Sequence, residues 1–410
     1  MKLLYINHYA GSVYHGMEFR PYYLSCEWIK SGHEVVIVGA SFSHLRQKNI
    51  EMTQDILEEN IDGIRYVWLK TPEYKGNGIG RIKNMLTFLY KLYKYLPKIT
   101  KNFVPDAVIA SSTYPLDSYP ANRIAKKHKA KFVFELHDLW PMSPMVYGNM
   151  SKWHPFIMIM QKAEDYWCKN ADVVVSLLSH AYKHLTERGM SMDKYHVVPN
   201  GVALEDWKET EAELPEEHQK LFAKLTGEGK FVVGYLGGHG LSNHLESIIY
   251  TAEKLKNDTE TVFVLVGKGP EKEKLIKLAE ELKLNNVYFL PPVSNVCVPQ
   301  VTALFDICSC FVEHTALNEF GMSLNKIYDY MMSAKPIVWG AKVPNDIVAE
   351  SGCGYTVSPE DTDAFAEKIL ALKAMSKEER MKMGEKGGKY ILENNTYSVL
   401  AEKFIDAIKS

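Results

Sequence analysis

The first half of the chain alternates short apolar runs with longer stretches of helical periodicity. Residues 3–7 form an apolar run of strand length, residues 22–30 have the spacing of an amphipathic helix, and residues 35–39 form a second apolar run. The same order returns in the apolar runs 107–110, 131–135 and 173–176, with a helical stretch at 119–127. Strands that alternate with helices predict a doubly wound α/β domain with a parallel sheet.

The pattern begins again after a polar, glutamate-rich connection at residues 205–217. The predicted strands of this half are 231–236, 261–266, 286–290, 307–312 and 336–339, and its predicted helices include 245–255 and 271–282. We therefore predict two doubly wound domains in series, residues 1–203 and 204–395. Ligands of such sheets bind beyond the carboxyl ends of the strands, so we expect the site in a cleft between the two domains.

The last segment, residues 396–410, is predicted to be an amphipathic helix. Leu400, Phe404, Ile405 and Ile408 fall on one face of it. This helix could close the second domain or cross back to the first.

One segment, residues 320–338, combines features of an anion-binding helix start. Gly321 predicts a turn, Ser323, Asn325 and Lys326 surround the expected start of a helix, and Asp329 follows one turn later. A lysine beside free backbone N–H groups can hold a diphosphate, and a carboxylate one turn later can accept hydrogen bonds from two ribose hydroxyls. The segment thus predicts a phosphate and ribose cradle, with an ordinary capped helix as the alternative.

Composition and charge narrow the classes of function. The 410 residues are 46% hydrophobic and 24% charged, and the formal net charge is −2. These values predict a globular protein and disfavour both disorder and nucleic-acid binding. Six scattered cysteines show no metal-binding spacing and are expected to be reduced core residues. No run has the length of a signal peptide's apolar region or of a membrane span, so we expect the chain in the cytoplasm.

Several motifs, taken together, resemble one enzyme family. The motifs are Gly32-His33-Glu34-Val35, Pro199-Asn200-Gly201-Val202, Gly267-x-Gly269-Pro270 and Lys335-Pro336. Each is weak alone, but their order resembles that of retaining nucleotide-sugar glycosyltransferases of family four, which have the GT-B fold. Three more motifs resemble the branch that transfers amino sugars in bacterial surface polysaccharides: Met17-Glu18-Phe19-Arg20-Pro21, His137-Asp138-Leu139-Trp140-Pro141 and Leu236-Gly237-x-x-Gly240. The resemblance covers nearly the whole chain.

The chain departs from the family pattern at the expected phosphate site. Relatives have two glutamates around a Phe-Gly turn with seven residues between them. Here the two carboxylates are Glu319 and Asp329, and nine residues lie between them. Asp329 takes the place of the second glutamate; whether Glu319 replaces the first stays open. The arginine and lysine that many relatives use on the diphosphate are missing from residues 237–244, so the resemblance implies that Lys326 and backbone N–H groups neutralise the phosphates.

The resemblance and the strand ends together define the candidate site. We expect His137 and Asp138, directly after a strand, to position the transferring sugar or the acceptor hydroxyl, although a structural strand-end pair is the alternative. The candidate catalytic residues are His137, Asp138, Lys326 and Glu319. The candidate donor-binding residues are Gly11, Gly16, Arg20, Gly237, Gly238, Gly240, Gly267, Gly269, Ser323, Asn325 and Asp329. Glu18 is expected near the cleft, with surface salt bridging as its alternative.

The sequence predicts no metal and no cofactor. Asp361-Thr362-Asp363 has the Asp-x-Asp form of metal-using transferases, but it directly precedes a predicted helix at 364–372 and is interpreted as a capping cluster. In a retaining reaction the leaving phosphate oxygen can take the acceptor proton, so no dedicated base is required.

Residues 81–101 predict a basic amphipathic helix. Arg81 and five lysines punctuate an apolar series there. Such a helix could contact an anionic membrane and a polyprenyl-diphosphate-linked acceptor at the inner face of the cell membrane. A solvated basic face over an ordinary core stripe is the alternative.

The expected function is transfer of a sugar, of N-acetylhexosamine type, from a UDP-linked donor to a glycan or lipid-linked acceptor of O-antigen or capsule type. Two other functions stay open at this point. One is a UDP-sugar 2-epimerase of the same fold, and the other is a catalytically silent nucleotide-sugar-binding protein.

Overall fold

The chain forms two α/β units, each with its own sheet. The structure is a computed structural model that describes residues 1–16, 19–76, 78–208 and 212–410. The first unit consists of Met1–Asn200, Phe320–Ser323 and Tyr397–Ser410, and the second of Gly201–Glu319 and Leu324–Thr396. Two parallel-sheet domains of this kind confirm the predicted fold class.

The strands form one sheet of eight and one sheet of six. They are β1 Lys2–Ile6, β2 Glu34–Ala40, β3 Ile56–Ile61, β4 Ile64–Leu69, β5 Ala107–Ala110, β6 Lys131–Leu136, β7 Val173–Ser176, β8 Tyr195–Val197, β9 Phe231–Leu236, β10 Thr261–Val266, β11 Val287–Leu290, β12 Ile307–Phe311, β13 Ile337–Gly340 and β14 Gly354–Val357. The strand orders are β3-β4-β2-β1-β5-β6-β7-β8 and β11-β10-β9-β12-β13-β14. All neighbouring strands are parallel except β3 and β4.

Helices connect the strands of both sheets. They are α1 Arg20–Lys30, α2 Ile79–Ile99, α3 Ser118–His128, α4 Met142–Tyr147, α5 Pro155–Asn170, α6 Tyr182–Glu187, α7 Glu216–Gly227, α8 Glu246–Lys254, α9 Lys272–Glu281, α10 Val298–Ala303, α11 Asn325–Met332, α12 Ile347–Ser351, α13 Thr362–Ala374, α14 Lys377–Asn394 and α15 Tyr397–Lys409. Within the described ranges, no helix is both long and apolar enough to cross a bilayer.

Most of the predicted strands are buried on both faces. Strands β1, β5, β6 and β7 are almost wholly buried, because helices cover both sides of a parallel sheet, and such strands appear in the sequence as continuous apolar runs. The sequence pattern did not reveal β3, whose four central residues are exposed, or the strands β4, β8 and β14. The Asp62-Gly63 turn to β4, where both residues have positive φ, as a two-residue hairpin requires, was not predicted either.

Helix α15 lies in the first unit against α1. The Nε1 of Trp28 donates a hydrogen bond to the carbonyl oxygen of Ala401 at 3.1 Å. The ring of Trp28 also meets that of Phe404 edge-on, with centroids 5.1 Å apart. The apolar face predicted from the sequence is therefore a packing face.

The Asp-x-Asp sequence is a capping cluster, as predicted. A side-chain oxygen of Asp361 accepts a hydrogen bond from the backbone N–H of Ala364 at 2.8 Å, which caps α13. Asp363 lies in the first turn of the helix and pairs with Lys254 at 2.6 Å. Both carboxylates thus have local structural partners.

Replacing the capping aspartate should weaken α13. We expect Asp361→Ala to lower the free energy of unfolding by about 1 kcal/mol, because the N–H of Ala364 loses its acceptor. Asp361→Asn keeps a capping oxygen and is the matched control, with most of the wild-type stability. Urea unfolding followed by far-UV circular dichroism measures both. Equal stability of the alanine and asparagine variants would contradict the capping role.

Candidate functional site

Two loops at the strand ends of the second sheet pack against each other through their backbones. The N–H of Gly237, after β9, donates to the carbonyl of Val266 at 3.0 Å, and the N–H of His239 donates to the carbonyl of Lys268 at 2.8 Å. A Cβ on Gly267 would lie 1.9 Å from the oxygen of Gly237. A Cβ on Gly269 would lie 2.2 Å from the oxygen of His239. The two glycines are required because only a residue without a side chain permits this approach.

Lys326 on α11 places its ammonium group beside these loops. Its Nζ donates to the hydroxyl of Tyr235 at 2.9 Å and to the side-chain oxygen of Asn243, and it lies 4.8 Å from the Tyr235 ring centroid. Its Cε is 3.5 Å from the position of a Cβ on Gly237. Burial lowers the pKa of Lys326. Among the described residues no carboxylate forms an ion pair with this ammonium, so its hydrogen-bond partners are neutral oxygens.

The partners of Lys326 are themselves held by the first loop. Tyr235 and Asn243 both donate to the carbonyl oxygen of Gly238, each at 2.8 Å. Gly238 is exposed, and Gly240 begins the short turn that carries Asn243. The candidate residues Lys326, Gly237, Gly238, Gly267 and Gly269 therefore come together at one edge of the sheet. A cation with neutral partners beside exposed backbone can bind an anion.

Two further residues of this edge, His239 and Lys272, were not predicted from the sequence. His239 is fully buried, and in the described part of the chain neither of its ring nitrogens has a hydrogen-bond partner. Burial, followed by the charges of Lys272 and Lys326, lowers the pKa of His239 to about 4, so the ring is neutral at physiological pH. Lys272 donates to the carbonyls of Gly267 at 2.9 Å and Leu290 at 2.7 Å. A lysine two residues after Gly269-Pro270, at the expected start of a helix, was the signal available for Lys272.

The predicted ribose carboxylate, Asp329, lies one turn into α11. Burial, together with the carboxylate of Asp206, raises the pKa of Asp329 to about 7. Asn325 is exposed at the first position of the helix. Asp329 can therefore exist as a carboxylate or as a neutral acid near physiological pH.

Two candidate residues, Ser323 and Glu319, lie before α11 and not within it. Ser323 was predicted within the helix start, but α11 begins at Asn325, and Ser323 belongs to the first unit, where its hydroxyl accepts from the N–H of Asn200 at 2.7 Å. Glu319 is exposed at the end of the 3-10 helix Ala316–Phe320. Its side chain has no hydrogen bond or ion pair with any residue that the structure describes.

In the first unit, His137 and Asp138 follow β6 as predicted. Asp138 is exposed and His137 is half-buried. The Nε2 of His137 lies 2.9 Å from the hydroxyl of Ser111 and 3.3 Å from a carboxylate oxygen of Glu135. Glu135 is fully buried in β6 and was not among the predicted site residues. A glutamate at the end of a predicted buried strand was the signal available for it, because a buried carboxylate needs a partner.

Arg20 is an interior residue of the first unit. Its Nε pairs with Glu135 at 2.9 Å, and its other nitrogens donate to the carbonyls of Val198 at 2.8 Å and Pro199 at 2.6 Å. Burial alone would raise the pKa of Glu135, but the charges of Arg20 and His137 hold that pKa below its usual range. The guanidinium of Arg20 thus has protein acceptors on all three nitrogens.

The loop after β1 contains the two remaining candidates. Gly11 is buried, and its carbonyl accepts from the hydroxyl of Tyr66 at 2.8 Å. Gly16 has a φ of +61° and accepts from the N–H of Gln47 at 3.1 Å. Glu18 lies outside the described residues. The loop is therefore held by contacts with its neighbours in the same unit.

Two family models match the chain, one in each half. Residues 217–390 match the model described as glycosyl transferases group 1, and residues 15–201 match the model described as a glycosyl transferase 4-like domain. Both models describe glycosyl transferases and together they span most of the chain, so the chain is a glycosyltransferase. Its two Rossmann-like units are those of the GT-B fold.

This glycosyltransferase is similar to one curated protein and to many solved structures. It is 21% identical over 286 residues to the "Putative colanic acid biosynthesis glycosyl transferase WcaI" of Escherichia coli K12, a match that covers 68% of this chain and 69% of that protein. The structure of Anabaena Alr3699/HepE in complex with UDP and glucose has a TM-score of 0.68, 14% identity and full coverage of both chains. That of WaaG, a glycosyltransferase involved in lipopolysaccharide biosynthesis, has a TM-score of 0.66 at 14% identity, with 100% and 99% coverage.

The titration of Asp329 should make the stability of the glycosyltransferase depend on pH. Its folded-state pKa of about 7 exceeds the ordinary value of 3.8, so the folded state binds more protons between these values, and stability falls as pH rises through this range. We expect Asp329→Asn to remove this loss and to be about 1–2 kcal/mol more stable than wild type at pH 8, after allowance for solvent screening. Urea unfolding from pH 5 to pH 8 measures the difference, which should grow with pH; parallel curves would contradict the assignment.

Proposed function

We propose that this glycosyltransferase uses a UDP-linked sugar, of N-acetylhexosamine type, and transfers it with retention to a glycan or polyprenyl-diphosphate-linked acceptor. The observation that carries the donor part is the ammonium of Lys326, which has only neutral described partners beside two glycine loops. A diphosphate supplies the missing negative charge. The similarity to WcaI and WaaG supports a role in cell-surface polysaccharide synthesis, of O-antigen or capsule type, at the inner face of the cell membrane.

The leaving diphosphate is the group that catalysis has to stabilise. As the bond from the sugar to the phosphate breaks, negative charge grows on the phosphate oxygens and the sugar gains oxocarbenium character. Lys326 and the backbone N–H groups of Gly238 and Gly240 would stabilise that charge, because those of Gly237 and His239 already donate to carbonyls of the neighbouring loop. These groups would fill the role that a metal ion has in other transferases. The carboxylate of Asp329 would accept hydrogen bonds from the ribose hydroxyls. The UDP complex of HepE, which has the same fold, supports uridine as the base.

On the sugar side, His137 and Asp138 would position the transferring sugar and the acceptor hydroxyl. Both residues follow β6 at the edge of the sheet where ligands of this fold bind. In a retaining reaction the departing phosphate oxygen takes the proton of the acceptor hydroxyl on the same face of the sugar. His137 therefore acts through hydrogen bonds rather than as a base.

Removal of the Lys326 ammonium should weaken donor binding. We expect Lys326→Ala to raise the Kd for UDP-N-acetylglucosamine roughly 10- to 100-fold, because charge-assisted hydrogen bonds to phosphate are lost. Isothermal titration calorimetry measures the Kd. Lys277→Ala, an exposed lysine on α9 of the same unit, is the matched control and should bind as wild type does. Unchanged affinity in Lys326→Ala would contradict the donor site.

The reaction itself is tested by product analysis. A thermal-shift screen across nucleotide sugars first identifies the donor, since a ligand that binds only the folded state raises the Tm. The donor is then incubated with and without lipid-linked acceptors and with EDTA. Transfer that needs an acceptor and persists in EDTA supports the proposal. Epimerisation of UDP-N-acetylglucosamine alone, binding without turnover, or activity restored only by manganese would contradict it.

An exposed apolar surface of the first unit is a better candidate for membrane contact than the basic residues of the segment 81–101. Lys91 is buried and pairs with Asp55 at 2.7 Å, and Lys94 pairs with the same carboxylate at 3.4 Å. The exposed face of α2 is mostly apolar instead. We define the apolar face as the exposed side chains of α2 and of residues 146–159: Ile79, Ile82, Leu86, Tyr90, Tyr93, Val146, Tyr147, Trp153, Met158 and Ile159.

The two parts of the apolar face are neighbours within the first unit. Met85 of α2 and Met160 of α5 pack in one buried cluster, with Leu89 and Phe156 against it. Ile79 is 84% exposed and Trp153 is 71% exposed. Residues 79–101 and 142–163 contain eight lysines and arginines and no carboxylate. An exposed apolar and aromatic surface with excess positive charge fits the interface of an anionic bilayer.

Polar replacements on the apolar face should reduce vesicle binding. We expect the triple variant Leu86→Ser, Tyr90→Ser, Trp153→Ser to bind phosphatidylglycerol vesicles roughly tenfold or more weakly, because less apolar area enters the lipid. Flotation measures the bound fraction. Leu370→Ser with Leu392→Ser, two exposed leucines of the second unit, is the control. Equal flotation of all three proteins would contradict the membrane contact.

A further inference from the structure

Four side chains from separate parts of the first unit meet around the carboxylate of Glu135. One oxygen, Oε1, accepts from the Nε of Arg20 at 2.9 Å. The other, Oε2, accepts from the hydroxyl of Tyr5 and from the hydroxyl of Ser111 at 2.5 Å, and it lies 3.3 Å from the Nε2 of His137. Tyr5, Ser111 and Glu135 are each at most 1% exposed. This cluster is a closed polar network inside an apolar sheet.

The single hydroxyl proton of Ser111 limits how the network can be connected. That proton is donated to Glu135, because the carboxylate has no hydrogen to give and the 2.5 Å separation is that of a charge-assisted bond. The oxygen of Ser111 then has only acceptor capacity left. It accepts from the side-chain N–H of Asn7 at 3.1 Å, and His137 Nε2 approaches it at 2.9 Å.

The ring nitrogen of His137 that faces Ser111 must therefore carry a hydrogen. Ser111 can no longer donate to it, and Glu135 can only accept from it while ionised. Arg20 keeps Glu135 ionised in spite of its burial. With Nε2 protonated, a neutral His137 has its lone pair on Nδ1. The donors and acceptors around His137 thus favour the Nε2–H tautomer.

We propose that Ser111 and Glu135 are positioning residues that hold His137 in the Nε2–H tautomer, so that its Nδ1 accepts a hydrogen bond from a hydroxyl of the bound sugar. The role of the bound sugar rests on the proposed function; the tautomer rests on the network alone. In the other tautomer Nδ1 would be a donor, and Nε2 would place a lone pair against the Ser111 oxygen and the carboxylate. The network makes that arrangement unfavourable before any ligand arrives.

A matched pair of variants separates this role from general support of the core. Ser111→Ala removes the nearer of the two acceptors of the His137 N–H and leaves the Arg20–Glu135 ion pair intact. Ser112→Ala is the control, because Ser112 is a buried neighbour that accepts from the backbone N–H of His8 at 3.0 Å and forms no hydrogen bond with His137 in the described part of the chain. Glu135→Gln is the stronger change, but it leaves Arg20 without its counter-charge and can prevent folding.

The direct readout is the 15N spectrum of the imidazole nitrogens in ligand-free protein. His137 is assigned among the 14 histidines by the signals lost in His137→Ala. Long-range proton couplings identify each ring nitrogen, and a pH series locates the neutral ring. We expect wild type and Ser112→Ala to show a protonated Nε2 and a lone pair on Nδ1. Ser111→Ala should show a larger share of the Nδ1–H tautomer than wild type, because only the more distant carboxylate still accepts from Nε2. A wild-type ring with its lone pair on Nε2 would overturn the proposal.

The second readout is a double-mutant cycle on turnover. Loss of one hydrogen bond to His137 should reduce kcat about three- to tenfold in Ser111→Ala, with less change in KM. If Ser111 acts through His137, the same change in a His137→Ala background should have little further effect. Full additivity of the two losses would contradict the proposal. Absence of sugar transfer by wild type would instead contradict the proposed function, while the tautomer result would stand.

Discussion

Parallel pairing of the strands is the constraint on which both units depend. Two parallel strands cannot be joined by a tight turn, so a helix has to return the chain to the start of each new strand. All carboxyl ends of a sheet then lie at one edge, and every loop that leaves them is available for ligands. His137 after β6 and the two glycine loops after β9 and β10 occupy such edges. Several of the candidate site residues lie at these edges because loops, unlike buried strands, can present polar groups to solvent.

Arg20 of the first unit and Lys326 of the second differ in whether a carboxylate pairs with their positive charge. In the first, the guanidinium of Arg20 is matched by Glu135 and by backbone carbonyls, and removal of one partner of such a buried pair costs about 3–5 kcal/mol. In the second, the ammonium of Lys326 has only neutral oxygens among its described partners. Matched charge stabilises the fold, while unmatched charge at a loop edge is suited to bind an anion from solution.

Most of the buried strands and their order along the chain could be predicted because burial on both faces produces continuous apolar runs. Edge strand β3 could not be found this way, since its exposed residues include Glu58 and Glu59, but the Asp62-Gly63 pair was a usable turn signal. The cluster around Glu135 was out of reach, because its members come from separate strands and loops. Arg20 was predicted near the ligand from a motif, and only the three-dimensional structure reveals its buried acceptors.

The backbone passes between the two units four times, after Asn200, Glu319, Ser323 and Thr396. Neither unit is therefore a continuous stretch of sequence. A fragment that ends at Asn200 would lack α15, and the indole of Trp28 would lose both the Phe404 ring and the carbonyl that accepts its N–H. Dissection of the enzyme into autonomous halves thus requires the C-terminal helix to be supplied with the N-terminal fragment, by fusion or as a separate peptide.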